Sequence, residues 1–190
     1  MSVPARAFAA AAAACTLAAC ETLNLGTAIR YRNLGPDDVV TGQARVAISL
    51  PPEAAEGAIL EVTVRLVEDG RGVLDERFDL VGSTGAVEQR ALPPAAREAG
   101  ATVFALDPAD VPRAERALAR LTRTPKDVRM VEGETAAALR LPTVEAETFC
   151  ALLDTPVVVW TKPSAALGYR RLTQRFRLAD LLEEETCVER

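Results

Sequence analysis

At 190 residues, with 49% hydrophobic and 26% charged side chains, the chain has the length and composition of one folded domain with a sizeable core. Its formal net charge of −5 excludes a general nucleic-acid binder, which needs a dominant basic surface. The sequence holds no histidine, so Ser-His-Asp and Cys-His catalysis lack their base and a histidine-held zinc lacks its ligands.

The first element is apolar. Arg6 precedes a nearly unbroken apolar run from Ala7 to Ala19, and the small residues Ala18 and Ala19 stand just before Cys20. A charged start, an apolar middle and small residues before a cut form the pattern of a secretory signal peptide. At about thirteen residues the run is too short to cross a bilayer as a helix, which takes ~20. Leu17-Ala18-Ala19-Cys20 resembles the lipobox of bacterial lipoproteins. That resemblance implies a diacylglyceryl group on the Cys20 sulfur and cleavage that leaves Cys20 as the acylated first residue. The sulfur is the nucleophile such alkylation needs, and two or more acyl chains hold a protein stably to a membrane. Glu21, standing where an aspartate would signal retention, implies the periplasmic face of the outer membrane. The plainer reading is an ordinary signal peptide followed by an unrelated cysteine.

Residues 20–38 contain Gly, Pro and Asp with little periodicity, so a lipidated tether is expected there, followed by a single β-rich domain over 39–190. Ala44–Leu50 predicts a half-buried strand with Val46, Ile48 and Leu50 on one face and Arg45, Ala47 and Ser49 on the other. Ala58–Val67 predicts a second strand, with Leu60, Val62, Val64 and Leu66 opposed to Glu61, Thr63 and Arg65. Glu68-Asp69-Gly70-Arg71-Gly72 then turns the chain into Val73–Leu80, giving a hairpin. Ala101–Leu106 is a further strand. Asp110 is placed as the N-cap of a helix with Pro112 in its first turn, running to about Leu121, with Ala114, Ala117, Leu118 and Leu121 on one face and the Arg and Glu residues on the other. Val157–Trp160 predicts a short buried strand. Tyr169–Leu178 predicts one more, with Leu172, Phe176 and Leu178 facing in and Arg171, Thr173, Arg175 and Arg177 out. Several short strands with one helix predict a mainly β fold, a β-sandwich or small barrel. Leu50-Pro51-Pro52-Glu53-Ala54-Ala55-Glu56 echoes at an offset of 42 as Leu92-Pro93-Pro94-Ala95-Ala96-Arg97-Glu98. This is either a duplicated strand–Leu-Pro-Pro–strand unit or coincidence in a chain rich in alanine and proline.

The stretch Arg90-Ala91-Leu92-Pro93-Pro94-Ala95, the strand ending Ala105-Leu106-Asp107, and Ala109-Asp110-Val111-Pro112 are similar to small β-sandwich lipoproteins of the YbaY/YscW type. The likeness covers about 25 of 190 residues. It implies an outer-membrane lipoprotein, with escort of a secretin as the role of the YscW-like members.

Cys15 leaves with the signal and Cys20 takes the lipid, so Cys150 and Cys187 remain. An even pair in an oxidising compartment predicts a disulfide, the alternative being two buried thiols. The bond would close a loop of about 37 residues, worth roughly 3–4 kcal/mol in the chain-entropy model. Arg170, Arg171, Arg175 and Arg177 form the densest basic feature, a candidate contact for an anionic partner. They would otherwise pair across strands or with Glu183-Glu184-Glu185. A Ser–Lys dyad would have to use Lys126 or Lys162, and Lys162-Pro163-Ser164 lacks the Ser-x-x-Lys order. Asp107 with Asp110, and Asp37 with Asp38, lack calcium-loop spacing, and Trp160 after three valines reads as core. No metal or cofactor is expected, and no catalytic residue is assigned. The expectation is a lipid-anchored binding or assembly module with an envelope protein as partner. A carboxylate-based cell-wall hydrolase or a passive structural lipoprotein are the alternatives.

Overall fold

The computed structural model describes residues 39–68, 71–83, 85–123, 131–141, 144–172 and 176–182. The strand-forming alternation builds a mainly β fold. β1 (Arg45–Ile48), β2 (Ile59–Glu68), β3 (Arg71–Ser83), β4 (Thr102–Leu106), β5 (Val131–Arg140), β7 (Val159–Lys162) and β8 (Arg170–Arg171) form one curled antiparallel sheet, a half-barrel in the order β5-β2-β3-β4-β1-β7-β8. β6 (Pro156–Val157) and β9 (Phe176–Arg177) make a separate two-stranded ribbon. The predicted hairpin is β2–β3, in register from Ile59↔Val81 to Leu66↔Leu74, with an irregularity beyond Leu66.

Residues on β1, β4 and β7 sort alternately onto the two faces. Ile48, Phe104 and Val159 enter the main core with Leu60, Leu139, Phe149, Phe176 and Leu178. Their neighbours Ala47, Val103 and Trp160 form a second core with Leu92, Ala96 and Ala101. The sheet is therefore covered on both sides here, which corrects the expectation of a solvent-facing Arg45-Ala47-Ser49 edge. Ala47 is fully buried, and Ser49 exchanges hydrogen bonds with Val158: its hydroxyl accepts from the Val158 N–H at 2.7 Å and its own N–H donates to the Val158 carbonyl at 3.0 Å.

The cover comes from the Leu-Pro-Pro echo. Leu50 and Leu92 are buried, and a one-turn helix begins at the second proline of each copy: α1 (Pro52–Ala55) and α3 (Pro94–Glu98). In both, the first proline's carbonyl accepts from the N–H groups three and four residues on, and Ala54 or Ala96 is fully buried. Each turn ends on a glycine with left-handed backbone, Gly57 (φ 68°) or Gly100 (φ 63°), followed by a buried alanine and a strand. The first copy serves the main core and the second the opposite face. What recurs is this turn-helix unit; a strand precedes the first copy, whereas the helix α2 (Ala86–Ala91) precedes the second.

The predicted helix is α4 (Val111–Arg123), which lays Ala114 and Ala117 on Leu74 and Phe78 of β3. The Asp110 carbonyl accepts the first helical N–H bonds, as its cap position requires. Its carboxylate turns instead to Arg113 at 2.9 Å, and Arg113 also reaches Glu76 at 2.9 Å and lies over the Phe78 ring. At the other end α5 (Ala146–Leu152), the β6–β9 ribbon and a 3-10 turn (Leu178–Leu181) close the core. The predicted Val157–Trp160 strand is split at Val158 between ribbon and sheet. Tyr169–Leu178 is likewise two strands in two sheets, β8 against β7 and β9 against β6. Its alternation nonetheless holds: Leu172, Phe176 and Leu178 are buried and Arg171 and Arg177 exposed.

Candidate functional site

A largely buried group of charged side chains lies where α2 covers the start of β1 and the end of β7. Gly85 and Ala86 open α2, which places Glu88 over the sheet. Arg45 Nε donates to Glu88 Oε1 at 2.9 Å, and Lys162 Nζ lies 3.5 Å from Glu88 Oε2. The three side chains are only 17%, 20% and 13% exposed for Arg45, Glu88 and Lys162. Arg45 is fixed further through Nη1, which donates to the carbonyls of Gly42 (2.9 Å) and Ala44 (2.8 Å). The Lys162 ammonium sits over the Tyr169 ring, 5.1 Å from its centroid. The Tyr169 hydroxyl is buried and has no hydrogen-bond partner among the described residues. Burial, then the Glu88 charge, pushes its pKa up to about 12.

Two cations around one carboxylate leave a net charge of +1 in a largely desolvated corner. The segment before β1 walls it: the Val40 N–H donates to the Pro163 carbonyl at 3.2 Å and the Gln43 side chain accepts from the Ala165 N–H at 3.1 Å. Chemically, the corner offers a cation and a phenol donor.

A second cluster lies on the outer side of β2, β3 and β5. Glu61 is buried although it alternates with apolar residues, and it pairs with Arg77 (3.0 Å) and Arg140 (3.6 Å). Arg140 also bonds Asp79 at 2.7 Å.

The sequence-predicted residues are distributed as follows. Cys20 lies outside the described residues, as do Cys187, Arg175, Lys126, Asp37, Asp38 and Glu183-Glu184-Glu185. Cys150 stands on α5. The arginine row is divided between sheets: Arg170 and Arg171 are exposed on β8, and Arg177 on β9 pairs with Asp154 at 3.1 Å. Asp107 and Asp110 perform turn and cap chemistry, Asp107 Oδ1 accepting from the Ala109 N–H at 2.8 Å. Trp160 is core. Among the described residues no group of three Cys, Asp or Glu could hold a metal ion, and no helix is long and apolar enough to cross a membrane. Sequence reasoning missed the Glu88 corner because its members are scattered from Arg45 to Tyr169 and only the fold of the sheet brings them together.

No family model, curated protein or solved structure matches the chain.

Proposed function

We propose that this protein is a lipid-anchored, non-catalytic binding or assembly module on the periplasmic face of the outer membrane. The observation that carries the reading is Leu17-Ala18-Ala19-Cys20 at the end of a short apolar run. The eighteen residues 21–38 after Cys20 carry Gly, Pro and Asp with little periodicity, a composition that suits a tether presenting a module to a neighbour. The pairing chemistry is in keeping with recognition: among the described residues, the buried Glu61 and the largely buried Glu88 are each engaged by two cations. Escort of an outer-membrane complex, implied by the YbaY/YscW likeness, is the specific form of this role.

A Cys150–Cys187 disulfide belongs to the same reading. Leu182 pairs in parallel with Leu139, and both pack in the core that also holds Phe149 of α5, the helix that carries Cys150. Reduction is expected to lower unfolding stability by roughly 3–4 kcal/mol, read from denaturant curves with and without dithiothreitol; equal curves would remove the bond.

The functional test is crosslinking in intact cells, then purification of the full-length protein in mild detergent, with Cys20→Ser as the unanchored control. A near-stoichiometric envelope partner that disappears in Cys20→Ser is the expected result. A lipidated, folded protein with no partner would overturn the assembly role.

A further inference from the structure

The corner between α2, β1, β7 and Tyr169 is incomplete by charge and by hydrogen bonding. Its three charged side chains sum to +1 while each is at least four-fifths buried. Buried charge is retained only when it is paired, so the excess positive charge calls for an anion. Lys162 supplies that excess: Arg45 is satisfied by Glu88 and two carbonyls, whereas the ammonium has only a loose 3.5 Å contact with Glu88 and the face of a ring. The ring under the ammonium carries a buried hydroxyl that has no acceptor among the described residues. A buried donor without a partner is costly, and it marks where an acceptor belongs.

The rim supplies a second line of argument. The exposed large apolar residues of the described chain are Val40, Val81, Val87 and Leu167. Val87 adjoins Glu88, Leu167 lies two residues before Tyr169, and the Val40 N–H bonds Pro163 beside Lys162. Val81 lies level with Arg45, through Ala105, on the sheet. Exposed apolar residues on the segments that carry a desolvated ionic anchor are in keeping with a protein-binding patch.

We infer that this corner is a docking site for an acidic segment of a protein partner, whose carboxylate pairs with Lys162 and accepts the Tyr169 hydroxyl. The inference rests on the reading of the protein as a binding module and names the partner's chemistry. A carboxylate fits both open functions at once, since it carries one negative charge and only accepts hydrogen bonds. Arg45 offsets part of the Glu88 charge that such a carboxylate meets.

Trp160 is the sole tryptophan of the chain and packs in the same cluster as Tyr169, so its emission reports the corner. The test titrates the full-length protein in mild detergent with sodium acetate, with sodium chloride at matched ionic strength and with inorganic phosphate. Acetate has so few atoms that half-saturation near or above about 1 mM is expected. The expected result is a saturable change with acetate, absent with chloride, and weakened at least tenfold in Lys162→Met and in Tyr169→Phe. Tyr169→Phe removes only the orphan hydroxyl and should fold as stably as the parent, so loss of binding there is not loss of structure. No saturable response, an unchanged response in Tyr169→Phe, or saturation by phosphate at lower concentration than acetate would overturn the proposal. In-cell crosslinks that survive in Lys162→Met would discard this site while leaving the envelope role intact.

Discussion

Glu61 and Glu88 are both carboxylates beneath two cations, yet they are solvated in opposite ways. At Glu61 the carboxylate is buried and its arginines face water, 66% exposed for Arg77 and 43% for Arg140, with Asp79 sharing Arg140. At Glu88 the cations themselves are buried, and the nearby phenol has no partner among the described residues. Water remains the main ligand of the Glu61 arginines, so that cluster is balanced as it stands. In the Glu88 corner water has been withdrawn from the cations, and the protein's own groups do not fully replace it. Composition is nearly the same in the two clusters; burial decides that one is a surface ladder and the other a site.

Removing each carboxylate should separate them most sharply. Glu88→Ala leaves two largely buried cations uncompensated and is expected to cost about 3 kcal/mol. Glu61→Ala returns its arginines to the solvent they already touch and should cost about 1 kcal/mol or less. Denaturant curves at low and high salt sharpen the contrast, because screening should erase the Glu61 effect and leave most of the Glu88 effect. Equal costs would break the distinction. Gly100→Ala tests the frame that positions α3 on the second core. A Cβ there meets nothing within 4 Å, so the expected loss of about 1 kcal/mol comes from the left-handed backbone alone.

The smallest effect is a matter of pH. Tyr169 titrates at about 12 in the folded chain, above the ordinary value of 10.0. The folded state thus holds the phenol proton more tightly than the unfolded state. Its contribution to stability is complete below pH 10 and is lost as pH rises through about 12. Absorbance at the phenolate band should show a high-pH component that Tyr169→Phe removes. A single transition at the ordinary value would place Tyr169 in water.

β2, β3 and α4 are legible in the sequence because long stretches keep one period and Asp110-x-Pro112 marks a start. β5 is not legible: Gly133 and three consecutive alanines have little strand propensity, and the strand forms because each residue from Val131 to Arg140 pairs with β2. The separation of β8 from β9 is invisible for another reason. Alternation states which side chains face inward and not which sheet receives them, so two short strands read as one. The Leu-Pro-Pro echo was visible as letters, but its meaning, a turn that covers each face of one sheet, needed the buried Ala54 and Ala96. The Glu88 corner had no local signal, since charges at Arg45, Glu88 and Lys162 look like any solvated surface until β1 and β7 become neighbours.

The measurement that bears most directly on the anchored-module account is the intact mass of the protein extracted from membranes, with its N-terminus sequenced by fragmentation. The account predicts a mature chain that begins at Cys20 and carries diacylglyceryl and acyl mass, lost together with membrane association in Cys20→Ser. A mature chain that starts elsewhere, or that starts at Cys20 without lipid, would contradict it.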